Sequence, residues 1–114
     1  MIEFEREYQT IEEAGKTMII AELAIFPTSE GVSVSRYVRE ALKVIAGSGL
    51  KYQTGGMATV IEAPDLKTLF RVIEQAHGAV ARMGAKRIHL DLRIDHRLDK
   101  DATIASKLAS LAKK

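Results

Sequence analysis

The stretch that decides the fold is Arg87–Asp95, with the sequence RIHLDLRID. Apolar and polar residues alternate along it, which is the pattern of a β-strand with one face on a core and the other face outside. The apolar residues are Ile88, Leu90, Leu92 and Ile94, and the polar ones are Arg87, His89, Asp91, Arg93 and Asp95. No other stretch of the chain alternates so cleanly, so we place the remaining elements outward from this strand.

Two short strands and a helix are predicted immediately before it. The strand candidates, residues 50–54 and 57–63, are joined by Gly55-Gly56, a dipeptide typical of tight hairpins. A helix then begins at Pro64-Asp65, carries apolar residues at helical spacing and is stopped by Gly84.

A further strand and helix lie closer to the N-terminus. Met18–Phe26 is predicted as a strand with a fully apolar face and a mixed face. An apolar stripe over residues 34–45 indicates a helix, for which Ser33 is the expected N-cap and Gly47 or Gly49 the end.

The element order is therefore β-α-β-β-α-β. A last apolar stripe adds a C-terminal helix, with Ile104, Leu108 and Leu111. Two βα units around a hairpin, with right-handed crossovers, predict an α+β fold of the ferredoxin-like type. In that fold a four-stranded antiparallel sheet carries both helices on one face, and the other face stays open.

Composition limits the class of protein. The chain has 114 residues, no cysteine and a formal net charge of +2, with 46% hydrophobic and 28% charged residues. These values are typical of one globular domain, and the lack of cysteine excludes a disulfide framework, a thiolate nucleophile and a cysteine metal site. Apolar runs are short and the N-terminus is acidic, so we expect a soluble cytoplasmic protein with no membrane segment. Three Tyr, three Phe and no Trp predict no nucleic-acid partner.

Residues 1–17 differ from the rest of the chain. They carry five glutamates, one arginine and one lysine, a net charge of −3, which leaves +5 for residues 18–114. Their apolar residues fit neither a helical nor a strand period. We interpret residues 1–17 as an N-terminal appendage, with an extra helix packed on the core as the alternative, and residues 18–114 as the ferredoxin-like domain.

Charged residues on the predicted open face could serve chemistry or assembly. Glu22 lies mid-strand between apolar neighbours, so it is either partly buried with a partner or faces a ligand. Glu62, at a strand end, is expected to be solvated. His89 and Asp91 share a face and could hold a metal, but Arg93 on the same face would oppose a cation. A ladder of cross-strand ion pairs at a subunit interface is the better interpretation. A solvated face with a few stray apolar residues remains the alternative.

No motif indicates an enzyme. Ser33 and Ser35 lie at a helix start, where capping explains them, and His77 lies within a helix. Gly55-Gly56 lacks the further glycines and the Lys-Ser/Thr pair of a phosphate-binding loop. No metal and no cofactor are expected.

Five short motifs, in order along the chain, carry a resemblance. They are Ala21–Pro27, Gly31–Val38, Gly49–Tyr52, Met57–Glu62 and Arg93–Arg97. Together they resemble the small thiamine-binding family related to YkoF, from Met18 to about Leu111. The family usually has Pro-Met-Gly-Thr before its third strand, whereas this chain has Gly56-Met57-Ala58-Thr59, so Ala58 adds a methyl group where glycine is usual.

The resemblance implies a ferredoxin-like fold, a homodimer or homotetramer paired through its sheets, and a pocket for thiamine or its hydroxymethylpyrimidine half. An aminopyrimidine needs a carboxylate and hydroxyls at fixed geometry. The cationic thiazolium favours an aromatic ring or a carboxylate. The residues predicted to line the site are Glu22, Ser33, Ser35, Tyr37, Tyr52, Met57, Thr59 and Asp95. Among them, Glu22 would anchor the pyrimidine, and Thr59 with a serine would orient it.

Each predicted residue also has a structural interpretation. Met57 and Tyr37 would wall the pocket, but Tyr37 borders a helix stripe and fits the core better. Three functions follow from the sequence: non-catalytic binding of thiamine or a related pyrimidine, which we favour; a regulatory or scaffolding domain that binds protein through its sheet; and a small enzyme, because this fold hosts many activities.

Overall fold

The structure, a computed structural model, describes residues 17–112. Residues 1–16, most of the predicted appendage, and residues 113–114 lie outside the described part of the chain. The elements are β1 (Ile19–Pro27), α1 (Ser35–Gly47), β2 (Tyr52–Thr54), β3 (Thr59–Ala63), α2 (Leu66–Arg82), β4 (Ile88–His96) and α3 (Ile104–Ala112). The order β-α-β-β-α-β with a C-terminal helix is confirmed.

The four strands form one antiparallel sheet in the order β2-β3-β1-β4. β1 occupies a central position, because it pairs with β3 over Ile19–Leu23 and with β4 over all nine of its residues. The predicted ferredoxin-like α+β fold is therefore confirmed.

The core lies between one face of the sheet and the helices α1 and α2. Alternate residues of β1 point into it, and the helices meet them with apolar stripes at helical spacing. The fully or nearly buried members include Ile19, Ala21, Leu23, Ile25, Tyr37, Ala41, Ile45, Ile61, Leu69, Ile73, Ala76 and Val80. Full burial of one such aliphatic side chain contributes about 1.5–3 kcal/mol, so this layer supplies most of the driving force for folding.

The two long helices begin differently. Asp65 caps α2, since its carboxylate accepts a hydrogen bond from the Thr68 amide at 2.7 Å. At α1 the N-cap is Val34, which makes no side-chain capping bond. The prediction that Ser33 caps α1 is wrong, because Val34 packs against the core and the first helical hydrogen bonds go to its carbonyl.

The β2–β3 hairpin has a longer loop than its glycine pair indicates. β2 ends at Thr54 and β3 begins at Thr59, so residues 55–58 form the turn. The Gly55 amide donates a hydrogen bond of 2.8 Å to the Ala58 carbonyl and closes it. The predicted strands are therefore confirmed in position but shortened at their ends.

The second face of the sheet is only partly open, because α3 lies against it. Ile104 and Leu108 of α3 share a cleft with Ile20 and Val60 of the sheet. Glu62 lies on this face, opposite Ile20, and is only 5% exposed. The prediction that Glu62 is solvated is therefore wrong. Within residues 17–112 no helix is long and apolar enough to cross a bilayer.

Candidate functional site

Two cavities lie on either side of the β2–β3 turn. The helix–sheet cavity has a volume of about 330 Å³ and lies between α1 and the sheet. Its lining consists of Leu23, Ala24, Ile25, Phe26, Val34, Val38, Ala41, Leu42, Ile45 and residues 54–59. The open-face cleft, about 490 Å³, lies between the other face and α3. Its lining consists of Ile20, Glu22, Gln53, residues 55–58, Val60, Ile104, Lys107 and Leu108.

Thr59 is the polar side chain best placed in the helix–sheet cavity. It begins β3 opposite Leu23 of β1, and only 4% of the residue is exposed. Its hydroxyl makes no hydrogen bond to another residue of 17–112, and since no fully buried side-chain oxygen in that range lacks a partner, the hydroxyl oxygen itself keeps some accessible surface. The hydroxyl is therefore available to donate to or accept from a bound molecule.

The β2–β3 turn lies between the two cavities and lines both of them. Residues 55–58 line each cavity, and Met57 at the turn is 92% exposed. A Cβ atom at Gly55 would lie 3.2 Å from the Ala58 carbonyl oxygen, which explains the glycine there. Ala58, where the resembling family has glycine, does not have a positive φ, so its methyl group causes no backbone strain.

Glu22 lies on the opposite side of the sheet from Thr59. It is paired with Val60, whereas Thr59 is paired with Leu23, and neighbouring residues of a strand point to opposite faces. The Glu22 carboxylate lines the open-face cleft, is 46% exposed as a side chain, and has Oε1 3.6 Å from Arg93 Nη1. The structure therefore divides the predicted ligand residues between two cavities.

Asp95 is held by α3. The Lys107 ammonium forms an ion pair with its carboxylate, and this hydrogen bond lowers the pKa of Asp95 below its usual value. Lys107 lines the open-face cleft, whereas Asp95 lies beside it. Tyr52, on the edge strand β2, is exposed and lines neither of these cavities.

Tyr37 belongs to the core, as its position in the helical stripe indicates. The residue is buried, and its hydroxyl donates to Glu30 Oε1 at 3.0 Å and accepts from Arg36 Nη2 at 2.7 Å. Burial raises the pKa of Tyr37, while hydrogen bonds from Ser29 and Tyr37 lower the pKa of Glu30. Tyr37 therefore anchors the loop after β1 to α1.

The two serines flank the cavity without entering it. Ser33 and Ser35 are exposed at the start of α1, and only Val34 between them lines the helix–sheet cavity. Sequence reasoning missed Val34, Val38 and Leu42 as cavity walls, although they lie at the edge of the predicted helical stripe. It also missed Gln53, which the alternation of β2 places on the same face as Glu22.

His89 and Asp91 lie on the same outer face of β4, as the alternation of this strand predicts. His89 Nε2 lies 3.1 Å from Asp91 Oδ2, and its ring centroid is 5.1 Å from that of Phe26. Across residues 17–112, no group of three or more histidine, aspartate or glutamate side chains could hold a metal ion.

Comparison with known proteins identifies the family. The family model described as thiamine-binding protein matches residues 21–112. The chain is 36% identical to a UPF0045 protein of Methanothermobacter thermautotrophicus over 85% of this chain and 99% of that one. It is 40% identical to the UPF0045 protein YqgV of Bacillus subtilis over 84% of this chain and 96% of that one.

Solved structures share the fold. A hypothetical protein of Methanocaldococcus jannaschii, MJ1052, superposes with a TM-score of 0.77 at 37% identity, over 82% of this chain and 95% of that one. A putative thiamine biosynthesis/salvage protein of Thermotoga maritima superposes with a TM-score of 0.72 at 21% identity, over 82% and 98%. The sequence matches and the shared architecture agree: this chain belongs to the thiamine-binding protein family.

Proposed function

We propose that this protein binds thiamine or its hydroxymethylpyrimidine half without transforming it, and that the aminopyrimidine ring occupies the helix–sheet cavity. The observation that carries the proposal is Thr59, a 4% exposed residue that lines a largely apolar cavity and whose hydroxyl makes no hydrogen bond to another residue of 17–112. Membership of the thiamine-binding family supplies the chemical class of the ligand.

The cavity suits a flat heteroaromatic ring. Its volume of about 330 Å³ lies within the range of small-molecule sites. Val34, Val38 and Leu42 of α1 supply one apolar wall, and β1 supplies the other. An aminopyrimidine presents an amine donor and ring-nitrogen acceptors, and a threonine hydroxyl can pair with either. Thr59 would therefore fix the orientation of a ring that the apolar walls hold.

The cationic half of thiamine extends beyond this cavity in our proposal. The helix–sheet cavity and the open-face cleft share residues 55–58, so a ligand that leaves the first beside Met57 approaches the second. There the Glu22 carboxylate would attract the positive thiazolium, with Gln53 beside it. Glu22 then interacts with the positive charge of the thiazolium ring on one face of the sheet, and Thr59 interacts with the pyrimidine ring on the other face.

The other predicted site residues receive no ligand contact in this proposal. Ser33, Ser35, Tyr37 and Tyr52 line neither cavity, and Asp95 is paired with Lys107.

We propose further that the protein acts as a homodimer or homotetramer paired through its sheets. The uncovered part of the second face, where Glu22, Asp91 and Arg93 lie beside Ala24 and Phe26, favours such pairing.

Calorimetry with thiamine and with hydroxymethylpyrimidine tests the assignment. Thr59→Val removes the hydroxyl and keeps the shape, so we expect affinity for both ligands to fall about tenfold, the loss expected when a buried hydrogen bond is left unmade. Thr28→Val, the same change at an exposed loop position, is the control and should leave both affinities unchanged. Equal affinities of wild type and Thr59→Val would contradict the proposal.

A second variant separates the two halves of the ligand. Glu22→Gln removes the charge on the open face, so thiamine should bind more weakly while hydroxymethylpyrimidine binds as before. Loss of both ligands would show that Glu22 contacts the pyrimidine instead. The alternative is a scaffolding function, and the feature that supports it is the exposed edge strand β4. It would be favoured if neither ligand raised the thermal stability of the wild-type protein while the protein formed a stable complex with itself or with another protein.

A further inference from the structure

The main-chain groups of β1 point alternately to its two neighbouring strands, and one hydrogen bond fixes which residue points where. The Thr28 amide donates to the Arg87 carbonyl at 2.8 Å, one residue beyond the pairing of β1 with β4. Because these groups alternate along a strand, the even-numbered residues of 20–28 direct their amide and carbonyl towards β4. The odd-numbered residues of 19–27 therefore direct theirs towards β3.

The hydrogen bonds of β3 lead to the same assignment. The Glu62 amide donates to the Lys51 carbonyl at 2.9 Å, so the even-numbered residues of β3 face β2 and the odd-numbered ones face β1. Thr59 is odd-numbered and lies opposite Leu23. Their main-chain groups therefore face each other, as the alternation in β1 requires.

β3 ends before β1 does. The pairing of these strands stops at Leu23 and Thr59, whereas β1 continues on β4 as far as Pro27. The same register would bring Met57 opposite Ile25, but Met57 belongs to the β2–β3 turn and is 92% exposed. The sheet therefore has a gap beside Ile25, where one residue of β3 would continue the pairing.

The amide and carbonyl of Ile25 face this gap. Within residues 17–112 no hydrogen bond joins them to the turn or to β3, although only 6% of Ile25 is exposed. Buried main-chain groups nearly always have a partner, because an unpaired one costs about as much as a lost hydrogen bond. Pro27, the next odd-numbered residue, has no amide to pair, which suits a side without a neighbouring strand. Ile25 thus brings one donor and one acceptor to the helix–sheet cavity that it lines.

We propose that the main chain of Ile25 binds the amino edge of the pyrimidine. Its amide donates to a ring nitrogen, and its carbonyl accepts from the neighbouring exocyclic amine. In an antiparallel sheet a residue of this kind uses its amide and carbonyl together on the residue opposite. An aminopyrimidine presents the complementary pair, an acceptor nitrogen beside a donor amine. The ring takes the place of the residue of β3 that is missing from the gap.

Thr59 lies at the end of the same gap. Its partner Leu23 is two residues from Ile25, about 6.6 Å along β1, which is close to the width of a substituted pyrimidine ring. The Thr59 side chain and the Ile25 main chain can therefore contact different edges of one ring. This inference rests on the proposed function and specifies the class of ligand as planar heterocycles that carry an amine next to a ring nitrogen.

Amide measurements by nuclear magnetic resonance test the gap and its occupant separately. In the free protein the Ile25 amide should exchange at least about tenfold faster than the Leu23 amide, which is paired with Thr59. Saturation with hydroxymethylpyrimidine should move the Ile25 amide proton downfield and slow its exchange about tenfold or more. The Leu23 amide is the internal control and should shift less, because its bond is already made. An Ile25 amide as protected as that of Leu23 in the free protein would show that the gap is closed and would overturn the inference.

Proline substitution removes the amide itself. Ile25→Pro loses no bond to a strand, so it should fold, but it should bind hydroxymethylpyrimidine about tenfold more weakly than Ile25→Val, which keeps the amide. Ala24→Pro, one residue earlier, removes an amide that faces β4 and should lower the melting temperature much further than Ile25→Pro. Equal affinities of Ile25→Pro and Ile25→Val would overturn the inference. If Ile25→Pro does not fold, the amide shift of the wild type decides.

The outcomes distinguish this inference from the proposed function. Calorimetric binding of hydroxymethylpyrimidine that leaves the Ile25 amide unshifted would overturn the contact with Ile25 and leave the binding function standing. A wild type that binds neither thiamine nor hydroxymethylpyrimidine would contradict the proposed function and this inference together. Thr59→Val with bound hydroxymethylpyrimidine should still shift the Ile25 amide, because the two contacts come from different residues.

Discussion

β1 and β4 are neighbours of equal length whose residues are paired at nine positions, yet their burial is opposite. No residue of β1 is exposed, and no residue of β4 is buried. Leu23 and Leu92 face each other across the pair and point to the same side, but only Leu23 is buried in the core. β1 has a strand on each side, whereas β4 has one on a single side. Position in the sheet, rather than residue type, sets what each strand contributes to stability.

The largest expected effect compares these two leucines directly. Leu23→Ala should lower the free energy of unfolding by about 3 kcal/mol, because it removes buried apolar contacts and enlarges the helix–sheet cavity that Leu23 lines. Leu92→Ala, at a half-buried edge position, should cost about 1 kcal/mol. Urea denaturation of the matched pair at low protein concentration measures both losses. Equal losses would show that β4 is as buried in solution as β1.

The next effect concerns the segment that leaves β1. Tyr37→Phe removes the hydroxyl that donates to Glu30 and accepts from Arg36, and we expect a loss of about 1–2 kcal/mol, as for buried hydrogen bonds to charged groups. The control is Tyr52→Phe, at an exposed tyrosine of the edge strand β2, which should change stability by only a few tenths of a kcal/mol. Thermal denaturation of both variants measures the two losses of stability. Equal losses would contradict the role of the Tyr37 hydroxyl.

A smaller effect is expected where the end of β1 is tied to the start of β4. Ser29 Oγ accepts hydrogen bonds from the Lys86 and Arg87 amides at 2.9 and 3.1 Å. Ser29→Ala should therefore cost about 1 kcal/mol and speed amide hydrogen exchange at these two positions. Ser33→Ala, at an exposed serine, serves as the control. Unchanged exchange in Ser29→Ala would show that other contacts position β4.

The smallest effect is a dependence on pH. Lys107 lowers the pKa of Asp95, so the ion pair stabilises the folded state above the ordinary value of 3.8 and ceases to do so as the pH falls through the lowered folded value. Asp95→Asn should therefore show a slightly shallower loss of stability on acidification than wild type. High salt should remove most of the difference, because the pair is exposed. A difference that persists in high salt would indicate a buried pair.

The sequence was sufficient for the order of the elements and for the core. Alternation over Arg87–Asp95 and the stripes of the two long helices identify which residues face inward, because periodicity follows backbone geometry. The sequence also predicted the start of α2 at Asp65 and its end at Gly84. What failed were features set by tertiary contacts: the start of α1, where Val34 packs inward, and the burial of Glu62.

The sequence predicted the candidate site only in part. The resemblance indicates Thr59, Met57 and Glu22 without saying which face each one occupies. Strand register decides this, and it is set by pairing with β1 rather than by the residues of β3 alone. The sequence also did not predict that α3 packs against the second face, because the apolar stripe of a nine-residue helix does not specify the surface on which the helix docks. Lys107 therefore entered the cleft unpredicted.

The central place of β1 also has a kinetic consequence. β1 is the first strand in the described part of the chain, but its β4 partners lie between 61 and 77 residues later. During synthesis on the ribosome, this most apolar strand emerges long before the strand that completes its pairing. Such high contact order slows folding and leaves β1 exposed to chaperones and to aggregation until the last third of the domain has been made.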